Sequence, residues 1–305
     1  MHIVVTGGTG FIGRPLCASL SQEGHRVTLL TRRKEEAERL FGSAVTAVEW
    51  NGTETGAWEQ SLEEADAVIN LAGAPIADAR WTDARKRLLT LSRVLTTRLL
   101  VVALSRRSSK PCTLISASGI GYYGASDDRV LDEGAVRGQG FLADLCLAWE
   151  AEALRAAKFG VRVVMLRTGM VLEQDGGALP KMLLPFRLFA GGPILPGTQW
   201  VSWIHRRDHI GLIQWLLTTP SISGPVNAVA PGAVTMNRFC EVLGQALHRP
   251  SWLPVPGFAL QLALGELGTL LTTGQRVNPA KAISGGYVFH YPTLEPALRA
   301  IVTKG

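Results

Sequence analysis

The segment Thr6–Gly13, which reads Thr-Gly-Gly-Thr-Gly-Phe-Ile-Gly, constrains the fold of this chain more than any other. It joins an apolar N-terminal run, Ile3–Val5, to a run of helical character, Arg14–Gln22. Three glycines spaced three apart allow a tight turn, a close approach of the backbone to phosphate, and close packing of helix on strand. Because N–H groups at a helix N-terminus attract anions, the segment predicts a dinucleotide pyrophosphate site. The alternative is a loop made only for packing. The predicted site residues are Gly7, Thr9, Gly10, Phe11, Ile12 and Gly13.

Short apolar segments alternate with helical ones through the first half of the chain. The predicted strands are Ile3–Thr6, Arg26–Thr31, Ala44–Trp50, Ala67–Leu71, Cys112–Ser116 and Val161–Leu166, and the predicted helices are Arg14–Gln22, Lys34–Leu40, Thr82–Leu104 and Ala143–Phe159. Strands rich in Val, Ile and Leu between helices indicate a parallel sheet covered on both faces. With right-handed crossovers, the sequence predicts a Rossmann-type, doubly wound α/β fold.

After Arg167 the chain becomes rich in Gly and Pro, which indicates a looped region. A helix is predicted over Ile210–Leu217, with Asp208 as its N-cap, and a strand over Val226–Ala230. We expect a nucleotide-binding domain from residues 1–169 with about 206–230. A smaller, interleaved substrate lobe is expected from 170–205 and 231–305.

Composition narrows the class of protein. With 47% hydrophobic and 18% charged residues, the chain is expected to be globular. Its net charge of +6 is scattered along the sequence, so no nucleic-acid partner is expected. The most apolar late segment, Phe258–Leu271, is too short to span a bilayer, so no membrane partner is expected either. A homodimer is left open.

The cysteines and histidines indicate neither disulfides nor a metal site. The four cysteines, Cys17, Cys112, Cys146 and Cys240, are far apart and form no C-x-x-C motif. They therefore suit a reducing, cytoplasmic compartment, and no signal peptide is expected before the first strand. The six histidines do not cluster with cysteines or carboxylates at ligand spacing, so we expect no metal.

Several motifs resemble those of the extended short-chain dehydrogenase/reductases, the NAD(P)-dependent epimerase/dehydratase family. They are the glycine-rich turn at Thr6–Gly13, Asn70–Gly73 after the fourth strand, and Ser116–Gly124 after the fifth. A closer resemblance, to an atypical subgroup labelled "epimerase family protein", covers nearly the whole chain. The sequence motifs shared with this subgroup include Arg80-Trp81, Ser92-Arg93, Trp149-Glu150, Arg167–Gly169, Trp203–His205, Gly274–Val277 and Tyr291–Glu295.

The end of the second strand bears on the choice of dinucleotide. NAD-preferring sites place Asp or Glu there to hold the ribose 2′-hydroxyl, whereas this chain has Thr31, Arg32 and Arg33. Because arginine binds phosphate through paired, charge-assisted hydrogen bonds, the sequence favours NADP(H). The alternative is that both arginines are solvated residues at a helix start.

The resemblance implies further cofactor contacts. Leu71, Ala72 and Gly73 would lie against the adenine-side ribose and phosphates, where small residues permit a close approach. Arg93 would face the cofactor from the following helix, although a surface arginine is an equal alternative. Val171 would lie near the nicotinamide.

The resemblance also implies a catalytic pair that the chain lacks. Members of the family use a Tyr-x-x-x-Lys pair on the helix before strand six, assisted by Ser or Thr. Here that helix offers Phe141 with Leu145, or Leu142 with Cys146, in the two plausible registers. The substitutes considered for the proton donor are Ser118, Tyr122 and His205, with Ser116, Lys86 and Lys181 as further polar groups. The alternatives are loop capping for the serines and core packing for a tyrosine.

Two functions remain open from the sequence. One is an NADP(H)-dependent oxidoreductase or epimerase that acts on an unknown small molecule with a non-standard proton donor. The other is an NADP(H)-binding or sensor protein without turnover. Among the aromatic residues of the second half, Phe186 and Trp200 are the candidates for an apolar substrate pocket, although core packing is expected for most.

Overall fold

The computed structural model describes residues 1–108 and 112–303. Its strands are β1 (His2–Thr6), β2 (Arg26–Thr31), β3 (Thr46–Glu49), β4 (Ala67–Asn70), β5 (Thr113–Gly119), β6 (Val130–Leu131), β7 (Arg162–Thr168), β8 (Met170–Glu173), β9 (Gly176–Gly177), β10 (Trp200–Val201), β11 (Trp203–His205), β12 (Gly224–Ala228), β13 (Val234–Thr235) and β14 (Arg276–Val277).

The helices alternate with these strands in the first half and dominate the C-terminal part. They are α1 (Gly13–Gln22), α2 (Lys34–Phe41), α3 (Gln60–Glu63), α4 (Asp83–Ser105), α5 (Phe141–Leu154), α6 (Leu179–Arg187), α7 (Arg206–Thr218), α8 (Met236–Leu247), α9 (Gly257–Leu264), α10 (Glu266–Thr272), α11 (Ala280–Ser284) and α12 (Leu294–Val302). The predicted helix over Ala143–Phe159 is divided into α5 and a 3₁₀ helix, Arg155–Phe159.

A seven-stranded parallel sheet forms the centre, in the order β12-β7-β5-β4-β1-β2-β3. The predicted Rossmann-type, doubly wound fold is therefore confirmed. Strand order reverses on either side of β1, which pairs with β2 on one edge and β4 on the other. In open α/β sheets ligands bind at such a reversal, beyond the carboxyl ends of the strands.

Side chains of the first strand alternate between two hydrophobic clusters. Ile3 and Val5 pack with Leu16 and Leu20 of α1 on one face of the sheet, whereas Val4 packs on the other face with Leu100. This alternation follows from the two-residue period of a strand, and a sheet buried on both faces needs apolar residues in both sets. The glycine-rich turn is thus anchored by a fully buried strand.

A third cluster forms the core of the C-terminal part. It joins Trp203 of β11 and Phe239 of α8 to Leu298 of α12. Phe186, which the sequence suggested as a pocket residue, is fully buried in this cluster, so that interpretation was wrong. Its ring lies against Gly191, where a side chain would have no room. The final two residues of the lobe predicted over 231–305 lie outside the described residues.

The start of α7 also differs from the prediction. The helix begins at Arg206, and its N-cap is His205, whose Nδ1 accepts a hydrogen bond from the Arg207 N–H at 3.0 Å. Asp208 is therefore not the cap. It is buried in the first turn and accepts hydrogen bonds from the backbone N–H groups of His290 and Tyr291, at 2.7 and 2.8 Å. The carboxylate thus fastens the C-terminal segment to α7.

One helix in the described part of the chain, α4, is long and apolar enough to cross a membrane. It packs instead within the domain, where Leu89, Leu100 and Leu104 are buried. The apolar segment considered from the sequence, Phe258–Leu271, forms α9 and most of α10.

Candidate functional site

The turn between β1 and α1 has the geometry that its glycines predict. Gly7 adopts a φ of +71°, and a β-carbon there would lie 2.7 Å from the Leu71 carbonyl carbon. A β-carbon on Gly13 would lie 2.6 Å from the Gly8 Cα and closer still to the Gly7 oxygen. Packing alone therefore requires these two glycines. Gly10 differs because it is exposed, and its N–H is bonded to the Gly7 oxygen at 3.0 Å. Its outer face is open to a phosphate.

Buried polar side chains support the strand ends beneath this turn. The Thr6 hydroxyl donates to Asn70 Oδ1 at 2.8 Å and accepts from the Ala72 N–H at 3.3 Å. Asn70 Nδ2 in turn donates to the hydroxyls of Thr97 and Ser116, at 2.8 and 3.2 Å. These bonds fix β1 and β4 at the point where Leu71 and Ala72 leave the sheet. The sequence marked Asn70 as a family residue and missed Thr97, although a polar side chain in an apolar helix was a usable signal.

The two arginines after β2 are not equivalent. The Arg33 guanidinium forms an ion pair with Glu36 at 2.7 Å, and the Arg33 backbone N–H donates to the Thr31 hydroxyl at 3.2 Å. Arg32 is exposed and has no ion pair with any described residue. The Arg32 guanidinium is therefore free for an added anion at this edge, whereas that of Arg33 is engaged in an exposed ion pair.

Arg93 is a buried cation at the carboxyl edge of the sheet, with 8% of its surface exposed. Its Nη2 donates to the Ala74 carbonyl at 2.9 Å, and its Cζ lies 3.0 Å from the position of a β-carbon on Gly73. The guanidinium also stacks over the Trp149 ring, 5.2 Å from its centroid. Burial lowers the pKa of Arg93 to about 10. Since no described carboxylate pairs with it, Arg93 is a ready partner for a ligand anion.

A short hairpin, β8–β9, lies over the glycine-rich turn. A β-carbon on Gly176 would collide with Cδ2 of the Phe11 ring, and one on Gly177, whose φ is +73°, would lie 3.2 Å from Cε1 of the same ring. Arg206 stacks over the same ring at 5.1 Å and pairs with Glu173 at 3.3 Å. Phe11 therefore joins the turn to the hairpin.

The other predicted cofactor residues lie around this turn. Thr9 and Ile12 are half-buried within it. Val171 is buried in β8, opposite Ile204 of β11. Its side chain is thus part of the small sheet next to the turn.

The structure also decides which register of α5 faces the loop after β5. A β-carbon on Gly121 would lie 2.9 Å from Leu142 Cβ, and one on Gly119 would lie 3.7 Å from Cys146 Sγ. Leu142 and Cys146 are therefore the pair at four-residue spacing on this face. Burial raises the pKa of Cys146 to about 11, so its thiol stays protonated at neutral pH. An acid–base pair is absent from this face of α5.

A buried ion pair lies next to that face. Arg167 binds both carboxylate oxygens of Glu150, through Nε and Nη2, each at 2.8 Å. Ser118 donates to Glu150 Oε1 at 2.7 Å, and Tyr123 donates to Asn227 Oδ1 at 2.7 Å while accepting from Arg167 Nη1. The Ser118 hydroxyl is thus engaged within the protein.

The three candidate proton donors fall into two places. Ser118 and Tyr122 meet around Arg167, whose Cζ lies 3.5 Å from the Tyr122 ring centroid. The half-buried Tyr122 has no hydroxyl hydrogen bond with any described residue. His205 lies instead at the junction of β11 and α7, where it is buried and stacks on Tyr291 at 4.2 Å. His205 caps α7 from this position.

Other polar groups considered from the sequence have protein partners. Ser116 and Ser118 both lie within β5, which extends to Gly119, and both are buried, so the expectation that they follow the strand was wrong. Lys181 donates to the Ala77 carbonyl at 3.3 Å, and Lys86 pairs with Glu266. The Trp200 indole donates to an Asp128 oxygen at 2.8 Å. Across 1–108 and 112–303, no group of three His, Cys, Asp or Glu side chains could hold a metal.

Comparison with known proteins places this geometry in a family. Residues 3–229 match the model of the NAD dependent epimerase/dehydratase family, and residues 255–301 match a domain of unknown function, DUF1731. The chain is 43% identical to the Arabidopsis thaliana protein "Epimerase family protein SDR39U1 homolog, chloroplastic" over 99% of its length and 87% of that protein. It is 41% identical to "Epimerase family protein YfhF" of Bacillus subtilis, over 99% and 98%.

Solved structures give the same placement. Human epimerase family protein SDR39U1 (isoform 2), crystallised with NADPH, superposes with a TM-score of 0.89 at 34% identity, covering 100% of both chains. A nucleoside-diphosphate sugar epimerase from Corynebacterium glutamicum gives 0.78 at 30% identity, covering 99% of this chain and 58% of that one. The Bacillus cereus UDP-glucuronic acid 4-epimerase, at 18% identity and a TM-score of 0.77, shares the fold.

Proposed function

This chain belongs to the NAD dependent epimerase/dehydratase family, and we propose that it is an NADP(H)-dependent oxidoreductase or epimerase-like enzyme of a small molecule. The observation that carries the proposal is the exposed, unpaired guanidinium of Arg32 at the end of β2. An arginine there can bind the 2′-phosphate that distinguishes NADP(H) from NAD(H). The NADPH in the human relative supports the same cofactor.

The described residues fit the rest of the dinucleotide. The open face of Gly10 and the N-terminus of α1 suit the pyrophosphate, and Arg93 offers a buried positive charge at Gly73. The β8–β9 hairpin, which packs on the Phe11 ring, covers this region from the second lobe. When bound, the nicotinamide supplies or accepts a hydride.

The proton donor must be a residue other than the Tyr-x-x-x-Lys pair of the family, because Leu142 and Cys146 occupy the face of α5 next to the loop after β5. Of the three candidates, Ser118 already donates to Glu150, and His205 caps α7. Tyr122 keeps a hydroxyl that no other described residue binds, and its ring is held by Arg167. We therefore assign the proton donor to Tyr122, which would exchange its hydroxyl proton with a substrate oxygen.

A second function is favoured by a different observation. Leu142 and the protonated Cys146 leave the face of α5 next to the loop after β5 without an acid–base pair, while the network around Glu150 and Arg167 is satisfied internally. A chain of this kind can bind NADP(H) without turnover, with the cofactor ordering the second lobe for a partner. Both functions use the same cofactor site.

Calorimetry on the apoprotein with NADPH and NADH tests the cofactor assignment. Arg32→Glu should weaken NADPH by about 10- to 100-fold, since a charge-assisted hydrogen bond contributes about 1.5–3 kcal/mol. NADH affinity should change little. Arg39→Glu, which makes the same charge change at the other end of α2, is the matched control. Equal losses for NADPH and NADH would refute the 2′-phosphate assignment.

Turnover distinguishes the two functions. Loss of the reduced-nicotinamide absorbance with a broad carbonyl panel, abolished by Tyr122→Phe, would support the enzyme. Tight NADPH binding without consumption of any carbonyl would support the binding protein.

The four cysteines are all buried free thiols, which supports the proposed reducing, cytoplasmic setting.

A further inference from the structure

An exposed apolar patch lies on the second lobe, where two segments of the chain meet. Its members are large side chains between 43% and 68% exposed, namely Leu184, Leu188, Phe189, Trp252 and Leu253. The Leu188 N–H donates to the Leu184 carbonyl at 3.2 Å, so these two leucines lie on one side of the end of α6. The Trp252 indole donates to the Phe189 carbonyl at 2.9 Å, which brings the second segment alongside the first. Single exposed apolar residues need no explanation, whereas a contiguous group marks an interaction surface.

The backbone beneath the apolar patch is fixed. The N–H groups of Trp252 and Leu253 both donate to the Gly191 carbonyl, at 2.9 and 3.1 Å, and Gly191 packs on the buried Phe186 ring. Phe189 has a φ of +60°, a left-handed conformation that is unfavourable for a side chain of this size. Such conformations concentrate where the strained group has a use, so the exposed Phe189 ring is itself a sign of a binding surface.

The apolar patch carries cations. The Arg249 guanidinium lies 4.4 Å from the centroid of the Phe189 ring, and its Nη1 donates to the neighbouring His248 carbonyl at 3.1 Å. Arg187, the last residue of α6, is exposed. Neither arginine has an ion pair with any described residue. Both guanidiniums are therefore available to an anion that approaches the apolar patch.

Both segments that form the apolar patch lack acidic residues. The ranges 176–207 and 242–265 contain no Asp or Glu, although the chain has 25 of them in 305 residues. Glu241 shares a shallow groove with Arg249 but is paired with Arg238 at 2.9 Å. The surface is thus apolar and positive together, and its occupant must be apolar and negative.

These properties select one occupant. In a twofold dimer through this face the apolar patch would meet its own copy, which would bring Arg187 and Arg249 toward like charges without a carboxylate. Anionic phospholipids offer acyl chains to the rings and phosphates to the arginines. Aromatic and leucine side chains next to arginine are also the residues that lie at the boundary between headgroups and acyl chains.

We infer that the apolar patch binds the surface of a membrane that contains anionic lipids. Phe189 and Trp252 enter the boundary of the acyl chains, and Arg187 and Arg249 meet the lipid phosphates. The expectation that the protein has no membrane partner considered only the length of a spanning segment, and surface binding does not need that length. The contact goes beyond the proposed cofactor chemistry and does not depend on it.

Sedimentation of the full chain with vesicles tests the role of charge. The vesicles are phosphatidylcholine alone, or phosphatidylcholine and phosphatidylglycerol in equal parts. Binding should be much tighter to the mixed vesicles and should weaken with salt. R187Q/R249Q should weaken it about 30-fold, since each basic residue at an anionic surface contributes about 1 kcal/mol, or about fivefold. R39Q/R299Q, which removes the same charge from exposed arginines elsewhere, should change it little.

The role of the apolar side chains is tested with the same vesicles. L188S/W252S should weaken binding at least about tenfold, because burial of one large apolar side chain contributes about 1.5 kcal/mol or more. L154S/F159S, which changes a leucine and an aromatic residue exposed on the nucleotide-binding domain, should bind as the wild type does. Circular dichroism should show that both variants are folded.

Fluorescence gives an independent readout of insertion. Phospholipids with brominated acyl chains should quench part of the tryptophan emission of the wild type. They should quench less in W252F, which keeps an aromatic ring on the apolar patch and should still bind.

Three outcomes overturn the proposal. One is equal affinity of the wild type for both vesicles, or equal binding of the wild type and L188S/W252S. Another is a dimer in light scattering that L188S/W252S dissociates, which shows that a second copy covers the apolar patch. The last is binding of polyglutamate through Arg187 and Arg249 without any vesicle binding, which shows that the partner is an acidic protein.

Discussion

Arg167 and Glu150 form a two-point ion pair, with both nitrogen–oxygen distances at 2.8 Å and both side chains almost fully buried. The pair joins β7 to α5 and also receives the Ser118 hydroxyl from β5. Desolvation opposes the charge on Arg167, but its hydrogen bonds to Glu150 outweigh that effect and raise its pKa. Arg167 therefore stays charged inside the protein, and its guanidinium supports the Tyr122 ring that the proposed mechanism uses.

Glu150→Gln should lower the free energy of unfolding by about 3 kcal/mol, because it leaves a buried guanidinium without its counter-charge. Denaturant unfolding measures the change. The double variant Glu150→Gln/Arg167→Met should recover part of the loss, because no unpaired charge then remains. Asp127→Asn, which breaks an exposed pair with Arg129, should change stability little. A single Glu150 variant as stable as the wild type would contradict the buried pair.

Arg93→Met should separate cofactor binding from stability. The buried guanidinium has only carbonyl and hydroxyl partners among the described residues, so its replacement should leave the apoprotein about as stable as before. NADPH affinity should fall at least about tenfold, because a charge-assisted contact is lost. Thermal unfolding with and without NADPH measures both effects. A large loss of apoprotein stability with unchanged NADPH affinity would show a structural role instead.

Gly13→Ala should abolish NADPH binding or folding, because the new methyl group would collide with the backbone of the Gly7-Gly8 turn. Circular dichroism and NADPH calorimetry report the two outcomes. Gly56→Ala is the matched control, because a β-carbon there would make only an ordinary contact, 3.7 Å from Trp58. A Gly13→Ala protein with normal NADPH affinity would be incompatible with the observed turn.

Acid should destabilise the protein through His209. Its imidazole is fully buried and hydrogen-bonded to Thr168 at 3.0 Å, and burial lowers its pKa to about 4 from an unfolded value of about 6.5. The unfolded state therefore binds more protons in this window, so the stability from neutral His209 is complete above pH about 6.5 and is lost as the pH falls toward 4.

Between pH about 6.5 and 5 the loss should be about 2 kcal/mol, at about 1.4 kcal/mol per pH unit. Denaturant unfolding at several pH values measures this slope. His209→Gln removes the titrating group and should flatten it. An identical slope in the variant would assign the pH dependence to other groups.

The fold and the phosphate-binding turn could be predicted from sequence because both depend on local chemistry. Gly7 is required where φ is positive, and the alternation of Ile3, Val4 and Val5 follows from strand geometry. The predicted strand Arg26–Thr31 matches β2 residue for residue for the same reason. These features need only a residue and its neighbours.

Only the tertiary structure decided which polar groups are already satisfied. The sequence could not show that Ser118 binds Glu150, 32 positions away, or that Asp208 binds backbone groups beyond residue 289. It also could not choose between the α5 registers or place Phe186 in the core, because both depend on which distant surfaces pack together. Glycine spacing fixes a local turn, whereas burial and pairing are set by the whole chain, and these decide which side chains remain for chemistry.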